Sequence, residues 1–153
     1  MGYTVPATVQ HARDLCPLLR KADRAEVLAL TGAPPELILP ACVGGDAWAM
    51  FTDTHELAGL CGVDHVVNFP GIGIVWMLGS DLIAKHQRDF LAHAKLWVED
   101  QHQRYPLLTN MVDARNTRHI RWLEWMGFTM LRRVERWGAA SLPFIEFERR
   151  ICA

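Results

Sequence analysis

The segment from Asn116 to Phe128 constrains the fold more than any other stretch of this chain, because it brackets a dense apolar and basic turn between a polar start and a Gly-Phe stop. Asn116 can cap a helix by accepting an N–H from its first turn, and Gly127 can take the left-handed conformation that ends one. Ile120, Leu123 and Met126 then share one face, which should be the buried one. A short helix of this kind cannot stand alone. It must lie against a larger apolar surface.

The rest of the chain supplies that surface as strands. Tyr3 to Val9 reads as a short strand, and His11 to Leu30 as a helix with Leu15, Leu18, Leu19, Ala22 and Ala25 in one stripe. Gly32 and Pro34-Pro35 break the chain, Pro35 opens a short helix through Leu37, Ile38 and Ala41, and Gly44-Gly45 ends it. Trp48, Met50 and Thr52 alternate in a strand. A turn near Asp53 leads to a second strand, Leu57 to Val67, and Asn68, Pro70 and Gly71 lead to a third, Ile72 to Leu78. Ser80 or Asp81 caps a long helix reaching about Gln103, with Ile83, Phe90, Leu91, Ala94, Trp97 and Val98 inside. Leu107 to Val112, the Asn116 helix, and the strands Thr129 to Trp137 and Pro143 to Arg149 close the chain. The order is β-α-α-β-β-β-α-β-α-β-β, an α+β arrangement of α/β/α type read as one domain over residues 1–153.

Composition narrows the classes of function. With 50% hydrophobic residues the chain can bury a core, and no apolar run approaches the ~18 residues of a membrane span, so a membrane role is not expected. No basic stretch followed by an apolar one opens the chain, which points to the cytoplasm. Cys16, Cys42, Cys61 and Cys152 are far apart and read as small buried apolar residues. His86, Asp89 and His93 share a helix face, but a surface role is expected of them and no metal site is predicted. Net charge is −1 but uneven: residues 1–100 hold 7 basic and 12 acidic side chains, residues 101–153 hold 9 basic, all Arg, and 5 acidic. Arg132, Arg133, Arg136, Arg149 and Arg150 are expected on solvated strand positions, with an anion-binding face as the alternative.

Asn116, Trp122 and the Gly127-Phe128 pair resemble the last motif of the GNAT N-acetyltransferase superfamily, and the element order is similar to that family's. The resemblance implies a GNAT-like mixed, mostly antiparallel sheet of six to seven strands with helices on both faces. It also implies that a splay between the strands containing Trp76 to Leu78 and Leu108 to Val112 opens a cofactor cleft. The fuller string, Asn116-Thr117 with His119-Ile120-Arg121, an aromatic, Leu123 and Gly127, looks like the small internal virion proteins of short-tailed coliphages and related prophages. That likeness covers about residues 74–137, and the N-terminal half matches by topology.

Two parts of the acetyl-transfer machinery are absent from the sequence. The family holds the CoA pyrophosphate in a Gln/Arg-x-x-Gly-x-Gly/Ala turn, where bare backbone N–H groups meet the phosphates. Here no Gly lies between Gly79 and Gly127, and Gln87 to Ala92, the nearest match, puts Phe90 at the first Gly and is expected inside the helix. Leu123 stands where many family members have the Tyr that protonates the thiolate. With those parts absent, the resemblance to the phage family implies a morphogenesis protein with no cofactor, acting on phage structural or core proteins in the host cytoplasm or virion interior. Its partner surface would be Asn116, Arg118, His119, Arg121 and Trp122. An active acetyltransferase using acetyl-CoA is the alternative, with Asp64, His65 or His119 as base and Met77, Leu78, Gln87, Arg88 and Asn116 toward the cofactor. A nucleic-acid module using the Arg-rich third comes last.

Overall fold

The computed structural model describes residues 2–151. Seven strands form one mixed sheet in the order β1-β2-β3-β4-β5-β7-β6. They are β1 (Tyr3–Pro6), β2 (Asp46–Phe51), β3 (Leu57–Val66), β4 (Phe69–Gly79), β5 (Leu107–Asp113), β6 (Thr129–Trp137) and β7 (Leu142–Arg150). Every neighbouring pair is antiparallel except β4 with β5, which is parallel. The helices are α1 (Val9–Leu15), α2 (Lys21–Thr31), α3 (Pro35–Cys42), α4 (Asp81–Lys85), α5 (Gln87–Gln101) and α6 (Thr117–Trp125).

Alternation along the strands builds two cores, one on each face of the sheet. On β3, Leu60 joins Ala12, Leu15 and Leu39 under α1 to α3, while Cys61 and Val63 face the opposite way, toward Phe90, Val98 and Trp122. β4 divides likewise, with Trp76 and Leu78 on the first face and Val75 and Met77 on the second. Gly62 accommodates this packing directly, because a Cβ there would come within 2.6 Å of the Trp76 ring.

Two helices expected to be continuous are broken. The stretch His11 to Leu30 splits because Pro17 has no N–H to donate to the preceding turn. Cys16–Leu18 tightens into a 3-10 turn, and Leu19 (ψ 138°) and Arg20 (ψ 141°) are extended. The break resets the helical phase, so Leu18 is 51% exposed and the face of α2 that turns inward carries Asp23 and Val27. The stretch Ser80 to Gln103 splits at His86 (φ −112°), without Pro or Gly. Ser80 caps α4 as expected, by accepting from the Leu82 N–H at 3.2 Å. Ile83 is anchored in the notch left by Gly59 and Gly79 before the chain restarts as α5.

The Gly127 stop forms as the sequence requires. Gly127 has φ +94°, its N–H reaches the Glu124 carbonyl, and the Phe128 N–H reaches back to Leu123, both at 3.0 Å, a Schellman termination. Cys16 and Cys61 are buried and Cys42 is half-buried, as small apolar residues would be, and burial pushes the Cys61 thiol up to about 12. Cys152 lies outside the described residues. Three of the five arginines on the closing strands are paired on the surface, Arg132 with Glu146 at 2.6 Å, Arg133 with Glu135 and Arg150 with Glu148 at 2.8 Å. Arg149 departs from the expected solvated position: its side chain is 20% exposed, it lies 3.7 Å from Glu99, and its Nη1 is buried without a partner. Among the described residues no helix is long and apolar enough to cross a membrane.

Candidate functional site

The parallel β4–β5 ladder runs only from Ile72↔Leu107 to Ile74↔Thr109, and beyond it the strands part. Ladder alternation then decides which backbone groups face the gap. The Ser80 N–H bonds the Ala58 carbonyl, so Val75, Met77 and Gly79 direct their N–H and C=O toward β5. The Ala114 N–H bonds the Pro143 carbonyl, so Met111 and Asp113 direct theirs toward β4.

Side chains take up these groups at both ends of the splay. At its narrow end Asn110 forms a wedge: its Nδ2 donates to the Val75 carbonyl at 2.8 Å and its Oδ1 accepts the Met111 N–H at 2.7 Å. At the open end two carboxylates one turn apart on α2 staple the two strands. Asp23 Oδ2 accepts the Gly79 N–H of β4 at 2.9 Å, and Glu26 Oε1 accepts the Asp113 N–H of β5 at 2.5 Å. The Gly79 carbonyl accepts the Arg20 N–H at 2.8 Å.

Asp23 also organises a buried polar network. Its Oδ1 accepts from Asn116 Nδ2 at 3.0 Å and from Arg20 Nη1 at 3.4 Å, while Arg20 Nη2 donates to Asn116 Oδ1 at 3.2 Å. The Arg20 guanidinium lies 4.8 Å from the centre of the Trp122 ring, a cation–π contact. Asn116 occupies the cap position of α6 but makes no side-chain cap bond, because its amide is used in this network instead. Burial pushes the Glu26 carboxyl up to about 8, since the stapling N–H and the more distant Arg20 compensate its desolvation only in part. Burial also lowers His119, whose Nδ1 is buried without a partner.

A cavity of about 360 Å³ opens through the splay. Phe90, His93 and Trp97 line it on the α5 side, and Leu30, Ile38 and Cys42 on the α2 and α3 side, with Glu26 and His119 as its ionisable groups at the staple.

The structure assembles some of the sequence candidates and scatters others. Met77, Leu78 and His119 line the cavity, whereas Asn116 is buried in the Asp23 network and is not among the lining residues. Asp64 and His65 are exposed on β3 opposite Ile74 and Gly73, at the other end of the ladder from Gly79, so they do not join this site. Gln87 and Arg88 are exposed, and Gln87 begins α5 instead of lying within a longer helix. On α6, Asn116, His119 and Trp122 are buried while Arg118 and Arg121 are exposed. Of the His86, Asp89 and His93 face, only His93 lines the cavity. Sequence reasoning missed Arg20, Asp23 and Glu26. The available signal was a pair of acids three apart on a helix whose apolar stripe was assigned to other positions.

No family model matches the chain, and no curated protein is similar to it in sequence. Solved structures are similar across nearly the whole chain. A GNAT-family acetyltransferase from Bacillus anthracis superposes with TM-score 0.70 at 9% identity, covering 97% of this chain and 94% of its own. One from Streptococcus pneumoniae gives 0.63 at 13%, covering 99% and 100%. The aminoglycoside acetyltransferase AAC(6')-Ib, in complex with coenzyme A and kanamycin, gives 0.69 at 14%, covering 98% and 95%. The fold is GNAT-like.

After β4 the chain enters α4, whose Leu82 N–H is bound to the Ser80 hydroxyl. Leu123 is packed into the core at 4% exposure.

Proposed function

We propose that this GNAT-fold protein works by binding rather than by acetyl transfer, as a phage morphogenesis protein in virion assembly and genome delivery. One observation carries the loss of acetyl transfer: the strand ends that frame the GNAT cleft already give their N–H groups to Asp23 and Glu26. A cofactor entering there finds the Gly79 and Asp113 N–H groups taken and no glycine cradle. Forfeiting a few charge-assisted bonds of ~1.5–3 kcal/mol each lowers affinity by orders of magnitude. The phage setting rests on the Asn116 to Gly127 string, and on α6 it leaves Arg118 and Arg121 as the solvent-facing contacts.

Calorimetry with acetyl-CoA is expected to show binding no tighter than millimolar, and Leu123→Tyr is expected to create no activity, because an acid without a bound cofactor has nothing to protonate. Micromolar affinity, or an acetylated amine detected by mass spectrometry, would overturn this reading. It would promote the second one, an active acetyltransferase, which the cavity through the splay favours because it reaches Met77 and its cleft-facing backbone. Arg118→Ala with Arg121→Ala is expected to weaken association with phage core proteins while leaving the melting temperature unchanged. Gene neighbours encoding portal, tail-tube or core proteins are expected, and a metabolic operon would sink the phage setting.

A further inference from the structure

We propose that Asp23, Glu26 and His119 form a divalent transition-metal site of the two-carboxylate, one-histidine type, with its open positions facing the cavity. One ligand atom from each residue lies within 4.8 Å of the others, the group of this kind found among the described residues. Metal–ligand bonds of ~2.0–2.2 Å put ligand atoms about 3.5 Å apart, so closure needs side-chain adjustment of about 1 Å and no backbone change.

Three observations point to a cation rather than to a chance meeting of side chains. His119 is 7% exposed, and its Nδ1 is enclosed without a hydrogen-bond partner. Each carboxylate is held through one oxygen by a strand-end N–H, Asp23 by Gly79 and Glu26 by Asp113, which orients it. Asp23 Oδ1 is taken by Arg20 and Asn116, but Oδ2 keeps a lone pair, and no hydrogen bond engages Glu26 Oε2. Such outer contacts orient metal ligands and are a regular part of metal sites. The imidazole with two carboxylates suits Zn²⁺, Mn²⁺ or Fe²⁺ and gives no reason to prefer Ca²⁺ or Mg²⁺. No spacing motif announced the site, because its ligands come from two helices far apart in the chain.

The test is calorimetry of the untagged protein with Zn²⁺ and, separately, Co²⁺ and Mn²⁺ as chloride salts, alongside thermal melts. Zn²⁺ or Co²⁺ is expected to bind at one ion per chain with micromolar or tighter affinity and to raise the melting temperature. Glu26→Gln and His119→Gln are each expected to weaken binding by ~10-fold or more, on the scale of losses at metal sites. His65→Ala with His86→Ala, neither of which lines the cavity, is expected to bind as the wild type does. Wild-type protein that binds none of the three ions below millimolar would overturn the proposal. So would affinity unchanged by Glu26→Gln, or affinity lost in the His65 and His86 variant. If His119→Gln does not fold, by circular dichroism, Glu26→Gln decides the matter alone.

Discussion

Asp23→Ala is expected to be the most destabilising single substitution in the polar network, costing roughly 3–5 kcal/mol, because it leaves the Arg20 charge buried without its carboxylate. Arg20 is 7% exposed and Asp23 2%, so solvent cannot replace the lost partner, and the Gly79 N–H and Asn116 amide lose an acceptor as well. For a chain of this size the loss is a fall of roughly 6–20 °C in melting temperature. Asn116 gives the companion test. Were it a helix cap, Asn116→Asp would preserve it, since Asp caps as well as Asn. Here Asp would set a second carboxylate against Asp23 in place of a 3.0 Å donor, so Asn116→Asp should destabilise more than Asn116→Ala. A wild-type melting temperature for Asp23→Ala, or tolerance of Asn116→Asp, would contradict the network.

Glu26 should make stability fall as pH rises. Its folded value of about 8 lies above the unfolded 4.5, so between these limits the native state holds a proton that the unfolded chain has released. Stability is therefore highest below about pH 4.5 as far as this group is concerned. It declines by up to ~1.4 kcal/mol per pH unit through the interval and levels off above about 8. Glu26→Gln keeps the shape and an oxygen for the Asp113 N–H but cannot ionise. In EDTA the variant is expected to lose less stability than wild type between pH 5 and pH 8, and to be the more stable of the two at alkaline pH, by about a few kcal/mol. Parallel denaturation-midpoint profiles for the two proteins would refute the assignment.

These effects arise in residues whose environment a sequence does not print. Periodicity and breakers determined the element order, the strand from Leu57, and the termination at Gly127, since each depends on residues within a few positions of one another. The absence of glycine between Gly79 and Gly127 was likewise a sequence fact, and the chain passes from β4 directly into α4. The break at His86 was not legible, because no local residue type demands it.

The polar end of the site was decided by tertiary structure alone. Asn116 has the chemistry of a cap, and the helix start is there, but Asp23 and Arg20 compete for its amide from more than ninety residues away. Asp23 and Glu26 look locally like acids on the solvated side of a helix. They are turned inward because Pro17 resets the phase of α2, and because the parting of β4 and β5 leaves N–H groups at Gly79 and Asp113 that need acceptors. A sequence specifies which side chains can accept a hydrogen bond, and only the folded sheet creates the unpaired donors that recruit them.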